Sequence, residues 1–73
     1  NRFGQQVYIA PVEQMRNWDF SELQVHLSQK GYLVLGVQRG DEALLNPGPA
    51  YKIQASDHVI CMGPHRPAPI RIS

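Results

Sequence analysis

The chain lacks the covalent devices that small domains use to reinforce their cores. Cys61 is the only cysteine among 73 residues, which excludes a disulfide within the chain. No apolar run approaches the roughly 20 residues that span a bilayer. A domain of this size buries only about 60% of its unfolded surface. We therefore expect one small domain, cut from a longer protein, that is stabilised by a second copy of itself.

An excess of charge of one sign is also missing. Seven Lys and Arg stand against six Asp and Glu, whereas nucleic-acid-binding domains carry a basic stripe. We therefore expect no nucleic-acid partner. The local exception is the end of the chain, where His65, Arg66 and Arg71 follow Asp57 without another acid. This basic tail is interpreted as a solvated linker, with a phosphate or lipid contact as the alternative.

Groups that support catalysis or metal binding are few and poorly placed. His58, Cys61 and His65 lie close in sequence, but positions 58 and 61 of one strand point to opposite faces of the sheet. Cys61 lies in an apolar run, and burial makes a thiol unreactive. The chain has no glycine-rich phosphate loop of the Walker or dinucleotide type. We therefore predict no metal site and no enzymatic activity.

The clearest secondary-structure prediction is a helix over residues 19–30. Asp19 and Glu22 have the spacing of a capping box, and Gly31 supplies the left-handed residue that ends a helix. Apolar residues at positions i, i+3 and i+7 form one face: Phe20, Leu23 and Leu27. Val25 lies away from this stripe and marks a candidate partner surface.

Strands are predicted on both sides of this helix. Residues 7–10 form a short strand that ends at Pro11 or lies on an edge of the sheet, because proline cannot donate to a strand ladder. Residues 32–37 are apolar throughout, which is typical of a strand covered on both faces. The single helix covers one face, so the other face again requires a second subunit. The candidate interface residues are Val25, Leu33 and Leu35.

Short strands and turns follow as far as residue 63. Residues 39–42 predict a hairpin turn; Arg39-Gly40-Asp41 is also the tripeptide that adhesion receptors read, but a turn accounts for it. Strands are expected at 43–45 and 58–62, with a rigid loop at 46–50. The predicted fold is α+β, in the order β-α-β-β-β, with one helix on a small, mostly antiparallel sheet. Residues 1–6 are assigned to a linker, 7–63 to the domain and 64–73 to a tail.

Candidate binding residues gather around the end of the central strand. Arg39 ends that strand, and Pro47 and Pro49 stiffen the loop that follows the hairpin. His26 lies on the second half of the helix, off the core stripe. Because arginine offers a planar fork for phosphate or carboxylate, these four residues are predicted to line a small anion-binding notch. The alternative is that Arg39 pairs with an acid of the hairpin turn.

Three sequence patterns follow one another between residues 31 and 63: Gly31-x-x-Val34-x-Gly36-Val37-x-Arg39, Pro47-x-Pro49 and Ile53-x-x-x-Asp57-x-x-Ile60-x-x-Gly63. Together they resemble the TrkA-C domain, also called RCK-C, the C-terminal lobe of cytosolic regulators of potassium channels and transporters. The resemblance covers about residues 7–63. It implies a β-α-β-β-β domain that forms a homodimer.

The resemblance also implies a function. Such a domain lies at the cytoplasmic side of the cell membrane, beside a nucleotide-binding N-terminal lobe, and is attached to a membrane pore or transporter. A ligand changes the posture of the paired lobes and so gates the flux of a monovalent cation. We expect no cofactor in this fragment, and a small anionic or nucleotide ligand. The alternative function is a purely structural assembly module that binds no small molecule.

Two departures from the family pattern bear on the ligand. Ser56 stands where the family usually has glycine before the last strand. Members that bind a cyclic dinucleotide tend to place an arginine late in the helix and a polar residue soon after the glycine that ends it. Leu27 and Leu33 stand at those positions here, which argues against a cyclic dinucleotide.

Overall fold

The computed structural model of the chain describes residues 4–14 and 16–71. In chain order the elements are β1 (Gln6–Gln14), α1 (Phe20–Ser28), β2 (Leu33–Arg39), β3 (Glu42–Leu45), β4 (His58–Gly63) and β5 (Ile70–Arg71). The one helix packs on a five-stranded mixed sheet of order β3-β2-β4-β1-β5, so the predicted α+β class is confirmed. No helix in the described ranges is long and apolar enough to cross a membrane.

Helix α1 begins and ends at its predicted signals. The side chain of Asp19 accepts a hydrogen bond from the Glu22 amide at 2.9 Å, and the Glu22 side chain accepts one from the Asp19 amide at 3.0 Å. Regular helix stops at Ser28, two residues before the predicted end. Gly31 then adopts a φ of 90°, and the amide of Tyr32 donates to the Leu27 carbonyl at 3.0 Å. The predicted stripe of Phe20, Leu23 and Leu27 is buried.

Strand β1 runs through Pro11, so the prediction that Pro11 stops it was wrong. The β1–β4 ladder extends to the pair Pro11 and His58. In an antiparallel ladder, residue pairs that exchange two hydrogen bonds alternate with pairs that exchange none. A proline, which has no amide to donate, is compatible with a pair of the second kind.

The segment after Gly63 packs on the domain, although the sequence assigned it to a solvated tail. β5 lies parallel to β1, with Ile70 opposite Val12. This one parallel pairing makes the sheet mixed, while its other three pairings are antiparallel as predicted. Pro67 and Ile70 are buried. Three prolines make this segment resemble a linker in sequence, but the packed part of the chain extends to Arg71. Residues 72–73, like residues 1–3 of the assigned N-terminal linker, lie outside the described residues.

The β2–β3 hairpin brings two backbones unusually close together. Arg39 pairs with Glu42, so the loop contains only Gly40 and Asp41, and Gly40 takes a φ of 59°. The predicted hairpin turn is confirmed. Farther along, a Cβ on Gly36 would overlap the carbonyl group of Leu44. Only glycine at position 36 therefore allows β3 to lie this close to β2.

The core lies between α1 and one face of the sheet. Its members are Ala10, Val12, Phe20, Leu23, Leu27, Tyr32, Val34, Val37, Ile53, Val59, Cys61 and Ile70. As predicted, the helix covers one face of the apolar strand β2. Val34 is 5% exposed, whereas its neighbour Leu33 is 59% exposed and Leu35 is half-buried. The described residues thus cover the helix-facing side of β2 and leave Leu33, on the other side, largely exposed.

Replacement of Gly36 by alanine tests the close approach of β3 to β2. Relief of the overlap with Leu44 must displace backbone, so we expect Gly36→Ala to lower the free energy of unfolding by about 1–3 kcal/mol. Urea denaturation followed by circular dichroism measures this change. Ser56→Ala, in an exposed turn, is the control and should change stability by less than about 0.5 kcal/mol. Equal stability of the two variants would contradict the proposed contact.

Candidate functional site

Arg39 and Asp57 form a bidentate ion pair at the end of β2. Arg39 Nε lies 2.8 Å from Asp57 Oδ1, and Arg39 Nη2 lies 2.9 Å from Oδ2. The second nitrogen also donates to the Lys52 carbonyl at 3.1 Å, and the guanidinium lies 4.7 Å from the centre of the Tyr51 ring. The side chain of Arg39 is 33% exposed, whereas that of Asp57 is fully buried. The pair therefore ties β2 to the segment that leads into β4.

The environment of Asp57 favours its ionised form. Burial by itself raises the pKa of this carboxyl, but the hydrogen bonds from Arg39 and from the Gln54 amide outweigh it and leave the pKa below its ordinary value. The Gln54 amide donates to Oδ2 at 2.8 Å, and the amide of Asp57 donates back to the Gln54 carbonyl at 2.9 Å. Asp57 thus closes its own turn while it holds Arg39.

The Arg39–Asp57 pair bears on the prediction that Arg39 lines an anion-binding notch. Arg39 was expected to offer its fork to a ligand or, alternatively, to pair with an acid of the hairpin turn. Its partner is instead Asp57, which is 18 positions away in sequence. The planar fork that recognises a carboxylate already holds one supplied by the domain itself. Arg39 is therefore primarily a structural residue in this arrangement.

The loop that contains Pro47 and Pro49 closes the N-terminus of α1. The amide of Ser21 donates to the Pro49 carbonyl at 3.2 Å, and the amide of Phe20 donates to the Tyr51 carbonyl at 2.8 Å. These amides are among those that a helix start leaves free. Because protein carbonyls accept from them, the two prolines serve to shape a cap rather than to expose amides to an anion.

His26 lies in a different environment from Arg39. Its ring packs edge-on against Trp18, with ring centres 5.0 Å apart, and it lines a cavity together with Lys30 and His65. The side-chain partners of Arg39 given above are Asp57, Lys52 and Tyr51, none of which lines this cavity. The structure thus distributes the four predicted residues over separate surroundings, and ligand binding by each of them stays a prediction.

The residues considered for a metal site are also separated. Cys61 is fully buried in the core, and burial raises the pKa of its thiol. His58 is exposed at the start of β4, and Nδ1 of His65 lies 3.0 Å from the Tyr32 hydroxyl oxygen. Within the described ranges, no three His, Cys, Asp or Glu side chains are grouped so that they could hold a metal ion.

An apolar surface remains on the side of the sheet opposite α1. The strand register places Val7, Met62 and Leu33 in one row across β1, β4 and β2, since Met62 is the partner of both of the others. In the next row, Ile60 pairs with Ile9 and with Gly36, and Gly36 pairs with Leu45. We call this surface the apolar sheet face; its side chains are Val7, Ile9, Leu33, Leu45, Ile60 and Met62.

Ile60, in the middle of the apolar sheet face, is 7% exposed, but four side chains around it are open to solvent. Val7 is 57% exposed, Ile9 47%, Leu33 59% and Leu45 66%. Sequence analysis identified Leu33 but missed the other three. Residues 7–10 are apolar without interruption, so their alternation between the two faces could not be read from the sequence.

Val25 and Leu33 share a groove at the C-terminal end of α1. The groove has a volume of about 580 Å³, and Val25 is 59% exposed. β3 pairs with β2 only at residues 36–39, so it does not reach Leu33. Two of the three predicted interface residues are therefore exposed and adjacent, while Leu35 is half-buried.

Comparison with known proteins adds no identification. No protein-family model, curated protein or solved structure matches the chain. The resemblance to the TrkA-C domain therefore depends on the residues of this chain alone.

The pH dependence of stability tests the Arg39–Asp57 pair. The pKa of Asp57 is lower in the folded chain than in the unfolded chain, so its contribution is complete above about pH 4 and is lost as the pH falls through the folded value. We expect Asp57→Asn to cost about 2–4 kcal/mol at pH 7. The difference from the wild type should narrow below about pH 4.

Chemical denaturation of both proteins between pH 7 and pH 2.5 measures this difference. Asp41→Asn, in the exposed hairpin loop, is the matched control and should stay close to the wild type. A gap between wild type and Asp57→Asn that remains constant down to pH 2.5 would contradict the ion-pair account.

Proposed function

We propose that this chain is a cytosolic regulatory domain that dimerises and senses a small ligand. It controls ion flux through a potassium channel or a monovalent-cation transporter. The observation that supports the proposal is the apolar sheet face, on which Val7, Ile9, Leu33 and Leu45 are exposed among the residues that the structure describes. The nucleotide-binding lobe and the pore or transporter that it regulates are separate from this domain. The domain has no catalytic role in this proposal.

The magnitude of apolar burial supports pairing. Full burial of a Val, Leu or Ile side chain contributes about 1.5–3 kcal/mol. Val7, Ile9, Leu33 and Leu45 are each roughly half exposed, so covering each one gains about 1 kcal/mol. A two-fold interface counts every side chain twice, and the total is comparable with the cost of association, about 4–15 kcal/mol. Pairing is therefore favourable when the cost of association lies at the lower end of that range, and we expect a weak to moderate dimer that a conformational change can rearrange.

The residues of the family-like patterns hold the fold in this domain. Gly31 ends α1, Gly36 allows β3 to lie close to β2, and Arg39 binds Asp57. These structural roles support a scaffold shared with the TrkA-C domain, because each depends on one local geometry. They do not indicate which ligand binds, and the regulatory function is proposed from the resemblance.

The alternative proposal is a structural assembly module that binds no small molecule. The engagement of Arg39 by Asp57 favours it, because the predicted ligand fork is already occupied. A thermal-shift screen with nucleotides, cations and small acids separates the two proposals. A ligand at one hundred times its dissociation constant stabilises the folded state by about 2.7 kcal/mol, and the assembly module predicts no shift.

Substitution of Leu33 tests the pairing surface. Leu33→Asp places a charge on the proposed interface, so we expect dissociation to a monomer, with the dimer dissociation constant raised at least about tenfold. Sedimentation equilibrium over a range from about 5 to 500 μM, chosen to span moderate affinities, measures it. Ala55→Asp introduces the same charge in an exposed turn and should leave association unchanged. A wild-type chain that remains monomeric throughout this range would overturn the proposal.

Cation flux tests the regulatory role. We expect cells whose chromosomal copy carries Leu33→Asp to take up rubidium, a potassium tracer, at a rate that differs at least about twofold from the wild type, because loss of pairing shifts the gating equilibrium. Cells with Ala55→Asp serve as the control, with protein levels matched by immunoblot. Identical uptake in all three strains would contradict a role in cation transport.

A further inference from the structure

The cavity beside His26 lies where the segment after β4 folds back over the end of α1. Its volume is about 600 Å³, which lies in the range of small-molecule sites. Leu27, Pro67 and Ile70 supply apolar walls, and all three are buried. The cavity exists because the segment predicted to be a solvated tail packs against β1 instead.

The polar lining of this cavity is predominantly basic. Lys30 and Arg71 carry positive charge, His26 and His65 add two imidazoles, and Glu13 is the one acid among the residues that line it. Arg71 lies 3.5 Å from Glu13, but its side chain is 73% exposed. At that distance the contact is loose, so most of the guanidinium donors are available to a ligand.

Both imidazoles are positioned by aromatic side chains. Nδ1 of His65 lies within hydrogen-bond distance of the Tyr32 hydroxyl oxygen, at 3.0 Å, and the two rings are nearly perpendicular. His26 packs edge-on against Trp18. Ring positions fixed in this way reduce the ordering cost of binding a ligand.

We propose that this cavity binds a small organic anion, with its phosphate or carboxylate group toward Lys30 and Arg71 and its apolar body against Leu27, Pro67 and Ile70. The two other anion sites that the fold suggests are occupied by the domain itself. Asp57 holds the fork of Arg39, and carbonyls close the start of α1. This inference names a ligand class for the proposed sensor and rests on that function for its biological role, but binding itself does not require pairing.

The test uses phenyl phosphate as the probe, because it joins a phosphate group to an apolar ring. Isothermal titration calorimetry gives its dissociation constant, and ¹H–¹⁵N correlation spectra locate it. We expect shifts confined to residues that line the cavity, with inorganic phosphate binding at least about threefold more weakly. Absence of binding, or shifts centred away from the cavity, would overturn the inference.

Three single substitutions sharpen this test. Lys30→Gln removes a charge from the lining and should raise the dissociation constant roughly three- to tenfold. Glu13→Gln removes the acid and releases Arg71, so it should lower the constant roughly two- to threefold. Lys52→Gln is the matched control, because Lys52 is exposed and lies outside the cavity lining. Equal weakening by Lys30→Gln and Lys52→Gln would show non-specific attraction and contradict the site.

Sedimentation of the same samples separates this inference from the proposed function. A dimer that does not bind phenyl phosphate overturns the cavity site and leaves pairing intact. A monomer that binds it at the cavity supports the site and overturns pairing.

Discussion

One helix covers one face of a five-stranded sheet, and this constraint determines the surface of the domain. α1 has nine residues and is therefore about 13 Å long. Its apolar stripe fills the core between helix and sheet, but no described element lies over the opposite face. Strands rich in apolar residues on both faces then leave Val7, Ile9, Leu33 and Leu45 in solvent. A second copy of the domain that covered this surface would stabilise a chain of 73 residues.

The Arg39–Asp57 pair is the second organising interaction. It joins the end of β2 to the turn before β4 and places a fully buried carboxylate beside a partly exposed guanidinium. A buried charge is tolerated only when it is paired and hydrogen-bonded, and here Gln54 completes the set of donors to Asp57. Arg39 is therefore engaged by the scaffold, whereas Lys30 and Arg71, which line the cavity near the end of α1, are exposed.

Local signals in the sequence predicted local structure well. The capping box at Asp19 and the glycine that ends α1 fixed the position of the helix, because each acts through neighbours within one turn. Long-range features were less accessible. Pro11 resembles a strand terminator until the partner on each side of β1 is known, and the Arg39–Asp57 pair spans 18 positions. The proline-rich end of the chain gave no sign that Ile70 would be buried. Of the candidate site residues, Leu33 and Val25 are exposed as expected, whereas Arg39 and His26 lie in separate environments.

The central claim is that two copies of the domain cover each other at the apolar sheet face. Isotope-filtered nuclear Overhauser spectroscopy on a mixture of ¹³C-labelled and unlabelled chains tests it most directly. The account predicts intermolecular contacts from the methyl groups of Val7, Ile9 and Leu33. Intermolecular contacts confined to other surfaces, or none at a concentration of about 1 mM, at which even weak complexes form, would contradict it.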